Sequence, residues 1–289
     1  MTPHFLVLVA AVFYAIAALL IKRASDLGVG PLRTLLISNL VCVVVFLPLW
    51  GFGGTLHRDL WWQPLLIGIC FMTGQGMTFL SLHKGDVSVA TPVLGIKILI
   101  VAVLVTLLAD ESLTLQLWAA AALASLGVAI LNRRSAKAQH HVGITIVMAV
   151  SAALAFALFD VLVQKWSPVW GLGRLLPLSI GAGGLLSLVL VFKLEEIPIE
   201  SKRLAWRWLW PAAFVMSGQS LLFVYAIANW GQAAQANVIY SSRGLWSILL
   251  IWFVGHWFGS RETENGTAVL VWRLVGALMM LSAIILAML

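Results

Sequence analysis

The sequence predicts an all-α membrane protein: ten transmembrane helices arranged as two inverted five-helix repeats. Three observations carry the prediction. The 289 residues are 62% hydrophobic and only 10% charged, whereas a soluble domain carries roughly 25% charged residues. Apolar runs long enough to cross a hydrocarbon core about 30 Å thick recur along nearly the whole chain, which leaves no stretch for a soluble domain. The second half also repeats short patterns of the first half in the same order.

The apolar runs fall at 4–21, 32–50, 62–83, 87–108, 113–131, 142–164, 173–192, 208–229, 232–257 and 267–288. The first lacks a basic leader and a small-residue cleavage site, so it reads as a retained span rather than a signal peptide. Gly28 to Gly30, Gly51 to Asp59, Lys84 to Asp86 and Asp110–Glu111 mark the early breaks, and only Trp230–Gly231 separates the eighth run from the ninth. Trp61, Trp62, Trp166, Trp170, Trp208 and Trp210 lie near run ends, where amphipathic rings settle at headgroup level. The longest polar stretch between early spans, 132–141, carries Arg133, Arg134 and Lys137 and divides the chain nearly in half. The reading is a first five-helix repeat over 1–134, an inter-repeat loop over 135–141 and a second repeat over 142–289.

Across that loop GDVSVATPVLGIK (85–97) aligns with GQAAQANVIYSSR (231–243) at a constant offset of 146, which sets Lys97 opposite Arg243. The preceding runs share Gly74–Gln75 with Phe79, against Gly218–Gln219 with Phe223. The second runs begin GPLR (30–33) and GLGR (171–174), and Phe13 of the first run faces Phe156 of the sixth. Five spans per half is an odd number, so the second half must be inverted relative to the first. Inverted repeats are a common plan of secondary transporters, with the substrate near the midplane at the repeat interface.

The net charge of +7 does not point to nucleic acid. The basic residues sit at run ends, as positive-inside anchors do, and no basic patch has interleaved aromatics. Cys42 and Cys70 lie inside apolar runs and read as small hydrophobes rather than a disulfide or metal pair. Lys22, Arg23, Lys84, Arg133, Arg134 and Lys193 follow odd-numbered spans, whereas Arg58 and Arg174 follow even-numbered ones. The positive-inside rule then places both termini outside the cytoplasm. Cysteine substitutions check this: an impermeant thiol reagent on intact cells should reach Gly54→Cys and spare Ser135→Cys, and the reverse pattern places the termini inside.

The stretch ADESLTLQLWAAAALASLGVAIL (109–131), with a looser counterpart GSRETENGT (259–267), resembles the Gly-Glu-Arg-Leu-Thr turn and Gly-rich fifth helix of EamA-like members of the drug/metabolite transporter superfamily. Asp110–Glu111 stands where the family has Gly-Glu. Length, span count and repeat are similar too, so the resemblance extends over the whole chain. It implies ten helices, termini inside the cytoplasm (against the charge rule), and alternating access through a central cavity lined by the third, fourth, eighth and ninth helices. The expected location is a bacterial inner membrane.

Lys97 and Arg243 are the sharpest chemical features. Each falls about mid-depth, where an unpaired charge costs about 2.5–3.5 kcal/mol on insertion scales. Converging on one cavity, they could hold a carboxylate or phosphate, Arg as a bidentate fork and Lys as a point charge. Alternatively each is neutralised inside the protein. Asp160, in the sixth run, is either a proton carrier for coupling or the permanent partner of a cation. Gln75 and Gln219 match in the repeat; an amide there binds substrate or ties two helices together. Gln235, Asn237, Tyr240, Ser241 and Ser242 make the first half of the ninth run polar enough to line a cavity. Tyr14, Tyr225 and Trp246 read more readily as apolar packing than as cavity walls, although Trp246 stands among the substrate-binding residues expected. Arg273 is expected to snorkel to the interface. Asp110–Glu111 and Glu195–Glu196 read as solvated turns.

No HExxH, CxxC, phosphate loop or paired acidic metal cluster occurs, so neither an enzyme nor a cofactor is expected. The partners expected are a small-molecule substrate and the bilayer. The function expected is a secondary transporter of a small metabolite, with an anion as cargo in one reading. A lipid-phosphate flippase using the same cations is the alternative, and a membrane-embedded enzyme a weaker one.

Overall fold

A computed structural model describes residues 3–83, 87–109, 111–131, 142–194, 196–254 and 267–289. Among them there is no strand. The helices are α1 (Pro3–Asp26), α2 (Pro31–Phe46), α3 (Trp62–His83), α4 (Val87–Leu94), α5 (Lys97–Leu108), α6 (Leu115–Leu131), α7 (Val142–Trp170), α8 (Leu172–Ser187), α9 (Lys202–Trp230), α10 (Ala233–Tyr240), α11 (Arg243–Val254) and α12 (Thr267–Met288). Six helical segments are long and apolar enough to cross a membrane: Pro3–Asp26, Pro31–Phe52, Arg58–Ser81, Val142–Trp170, Leu172–Lys193 and Lys202–Trp230. Pro92–Leu108, Leu115–Leu131 and Leu274–Met288 are shorter apolar helices.

Local chemistry sets these boundaries. No glycine interrupts α1, and Gly28 stops it at φ +88. The Gly28 N–H then donates to Ser25 O and the Val29 N–H to Ala24 O, the paired bonds that close a helix through a left-handed glycine. Gly231 ends α9 the same way, at φ +66 with its N–H on Ile227 O at 2.8 Å. Leading into α2 and α8, the GPLR and GLGR patterns give helices of equal length. Each continues into a six-residue 3-10 turn, Leu47–Phe52 and Leu188–Lys193, set 141 residues apart.

The sequence led us to expect continuous helices through 87–108 and 232–257. Both are broken. Pro92 sits inside α4, cannot donate to the preceding turn, and is followed by i→i+3 bonds from Gly95 to Pro92 O and from Ile96 to Val93 O. In the second half Ser241 Oγ bonds Val238 O at 2.6 Å, a local side-chain bond that competes with the helix ladder. Backbone i→i+3 bonds from Ser241 to Val238 O and Ser242 to Ile239 O follow. The two breaks correspond residue for residue. α4 and α5 recur as α10 and α11 with the same lengths, 146 residues on. Two unrelated local causes therefore give one geometry.

Packing uses small residues where helices approach closely. A Cβ on Gly68 of α3 would lie 2.6 Å from Ser179 O of α8, and one on Gly276 of α12 would lie 2.7 Å from Leu131 N of α6. Halves interlock rather than sit side by side: α1 packs on α9 and α11, while α7 packs on α3 and α5. Val147, Leu185, Phe214 and Leu281 remain exposed. So large an apolar surface suits lipid, not water. Cys42 and Cys70 are free and buried, in keeping with their reading as small hydrophobes. At one end of the molecule Pro3 and His4 lie beside Gln232 and Gln235. There the Leu286 carbonyl, near the other terminus, accepts from Gln116. Both ends of the chain thus share one face. Arg133, Arg134, Ser135, Lys137, Glu195, residues 259–266 of the GSRETENGT turn and the side chain of Arg273 lie outside the described residues.

Candidate functional site

Lys97 and Arg243 are the first residues of α5 and α11, immediately after the two breaks. A helix N-terminus carries exposed N–H groups and roughly half a positive charge. Each cation is therefore placed where the backbone already favours an anion.

Lys97 Nζ reaches Asp160 Oδ2 of α7 at 2.8 Å, and Asp160 is 1% exposed. Asn237 of α10 donates from Nδ2 to the same oxygen at 2.7 Å, and to Ala233 O at 2.9 Å. The ammonium also lies 5.6 Å from the Phe156 ring and 5.5 Å from the Phe223 ring. Such contacts stabilise a partly desolvated cation. Arg243 is held differently. Its guanidinium carbon lies 4.6 Å from the Tyr14 ring and 4.7 Å from the Tyr240 ring. Among the described residues no carboxylate is within salt-bridge reach of it. The Tyr240 hydroxyl oxygen accepts from the Arg243 guanidinium, and the same hydroxyl donates to Gln219 Oε1 at 2.5 Å. Gln219 Nε2 donates to Ser220 Oγ at 2.7 Å. Two cations and one carboxylate leave this buried cluster with one positive charge not met by an acid.

The rings are set by the repeat. A Cβ on Gly74 would lie 2.9 Å from the Phe156 ring, and one on Gly218 would touch Phe13 at 3.8 Å. Gly74 lets α3 lie close against Phe156 of the opposite half, whereas α9 meets Phe13 at a distance a side chain would also allow. Gln75 Oε1 and Thr78 Oγ1, on the same helix as Gly74, are buried without a hydrogen-bond partner.

Of the residues expected at the site, the structure brings together Lys97, Arg243, Asp160, Asn237, Tyr240 and Gln219. Gln219 ties α9 to α10, and Gln75 contributes a buried acceptor on α3. Trp246 lies one turn past Arg243 and packs partly buried against the main apolar core. Four residues show more than the sequence reading foresaw. Tyr14, expected in apolar packing, does pack against the core but also turns its ring to Arg243, because α1 packs on α11. Gln235, expected to line a cavity, does so at the end of the molecule where the termini lie, and its amide donates to Ala287 O. Ser241 was likewise expected to line a cavity, but its hydroxyl is spent on its own helix. Glu111, expected in a solvated turn, lies exposed between α5 and α6 and also accepts from Gln164 Nε2 at 2.6 Å. Phe156 and Phe223 had entered only as marks of the repeat; their matching positions were the signal that could have placed them at the cations.

Helices apolar outside and charged at their centre define an integral membrane protein. Residues 1–133 match the family model described as the EamA-like transporter family, consistent with the drug/metabolite transporter superfamily and with transport of small molecules. A solved structure titled only "Crystal structure of protein" superposes with a TM-score of 0.74, covering 99% of this chain and 96% of that chain at 16% identity. That likeness is one of fold alone. No curated protein matches the sequence.

Proposed function

We propose that the chain is a secondary transporter that moves a small anionic metabolite by alternating access. In this reading ten spans form two inverted five-helix halves, with α4–α5 and α10–α11 each counting as one interrupted span. The observation that carries it is Arg243: a partly buried guanidinium between two tyrosine rings, with no carboxylate within salt-bridge reach among the described residues. Intramembrane cations without an acid mark a ligand pathway. The two half-helix N-termini and their cations form the arrangement that interrupted helices use to hold a carboxylate. Lys97 is the second contact, and Asp160 occupies it when the substrate is absent.

Purified protein screened by thermal shift tests the charge of the cargo. Carboxylates or phosphates should raise the melting temperature with concentration, since a ligand of the folded state adds RT ln(1 + [L]/Kd). A screen in which only cations or neutral solutes do so overturns the anion reading.

A further inference from the structure

One hydrogen-bonded chain links the buried cluster to the face where the termini lie. From Lys97 it runs to Asp160 at 2.8 Å, to Asn237 at 2.7 Å and to Ala233 O at 2.9 Å. The Ala233 N–H then donates to Gln164 Oε1 at 2.8 Å, and Gln164 Nε2 donates to Glu111 Oε2 at 2.6 Å. Asp160 and Gln164 lie one turn apart on α7. Between them they hold both the middle and the first residue of α10. That helix is a separable piece: eight residues, with Gly231 in the left-handed region before it and the Ser241–Ser242 break after it. Beyond Gln164 a cavity of about 80 Å³ is lined by Glu111, Leu113, Leu117, Gln232, Ala234 and Gln235. There is open volume on the far side of the contact and none of the transport chemistry described above.

We propose that Gln164 and Glu111 form a latch that holds α10 against α7 and closes the transport path at this end. Gln164 is the positioning residue: its amide bridges a carboxylate on the α5–α6 connection to a backbone N–H of α10, so it joins the two halves at their rim. An anion that takes Lys97 from Asp160 leaves Asn237 as the donor to that carboxylate, so α10 stays tied to α7 at Asp160 and at the latch, and the latch is the tie at the rim. The proposal rests on the alternating-access reading, but its test uses no anion and can fail while the anion reading stands.

The test is Gln164→Leu in detergent-purified protein, read by the rate at which a hydrophilic maleimide labels two single-cysteine reporters. Ala234→Cys lies buried beside the cavity. Gly76→Cys lies on α3 toward the opposite end, where a Cβ meets nothing within 4 Å. Opening this end closes the other, so Gln164→Leu should speed labelling at position 234 severalfold and slow it at position 76. Glu111→Gln, which keeps an acceptor oxygen, should move both in the same directions by less. General loosening would speed both. Any outcome in which the two reporters do not move in opposite directions overturns the latch.

Discussion

Asp160→Leu is expected to be the most destabilising substitution in the protein. It leaves the Lys97 ammonium, 16% exposed, between two phenyl rings with its carboxylate gone. Removing one partner of a buried ion pair costs about 3–5 kcal/mol, because the remaining charge is uncompensated. The Asn237 amide loses its acceptor on α7 as well. The same principle predicts the rescue: replacing both partners with apolar groups of similar size is often neutral. Lys97→Met combined with Asp160→Leu should therefore recover most of the stability that Asp160→Leu loses, while transport stays lost. Melting temperatures of the two single variants and the double variant measure the coupling. Equal destabilisation in the single and the double variant would show that the pair is not the unit of stability.

Arg243→Gln should have the opposite profile. Its charge is met by tyrosine rings rather than by an acid, so removing it strands no buried partner charge. Folding is expected to survive. Uptake into reconstituted vesicles should fall, for whichever anion the thermal screen identifies. Hydrogen bonds to a charged group contribute about 1.5–3 kcal/mol, which corresponds to roughly a ten- to hundredfold loss in apparent affinity. Arg243→Lys keeps the charge but loses the planar fork, and should fall between the two. Wild-type uptake by Arg243→Gln would remove the substrate site from α11.

The contrast follows from an asymmetry within the repeat. Lys97 and Arg243 occupy equivalent places, yet one is neutralised and the other is not. The neighbour decides: α7 brings Asp160 to Lys97, and α1 brings Tyr14 to Arg243. Aligned through Phe13 and Phe156, the residue of α1 opposite Asp160 is Ala17. An acid in one half and none in the other makes the cluster cationic rather than neutral.

Composition alone determined the solvent of this protein. A chain with 10% charged residues cannot clothe itself for water, and its apolar runs fix where helices form. The constant offset of 146 placed Lys97 and Arg243 as equivalents before any coordinates, since register along a chain is a one-dimensional property. Tertiary structure alone decided which neighbours those cations meet. Periodicity could not foresee that a proline in one half and a serine hydroxyl in the other would break two helices at matching points. Nor could it reveal that Tyr14, remote in sequence from Arg243, faces it. Glu111 shows the limit most plainly: in sequence it is one acid in a turn, and only the arrival of α7 makes it the acceptor for Gln164. Contacts between distant residues depend on how helices cross, and crossing is settled by Gly68, Gly74 and Gly276 admitting close approach, which a hydropathy pattern does not encode.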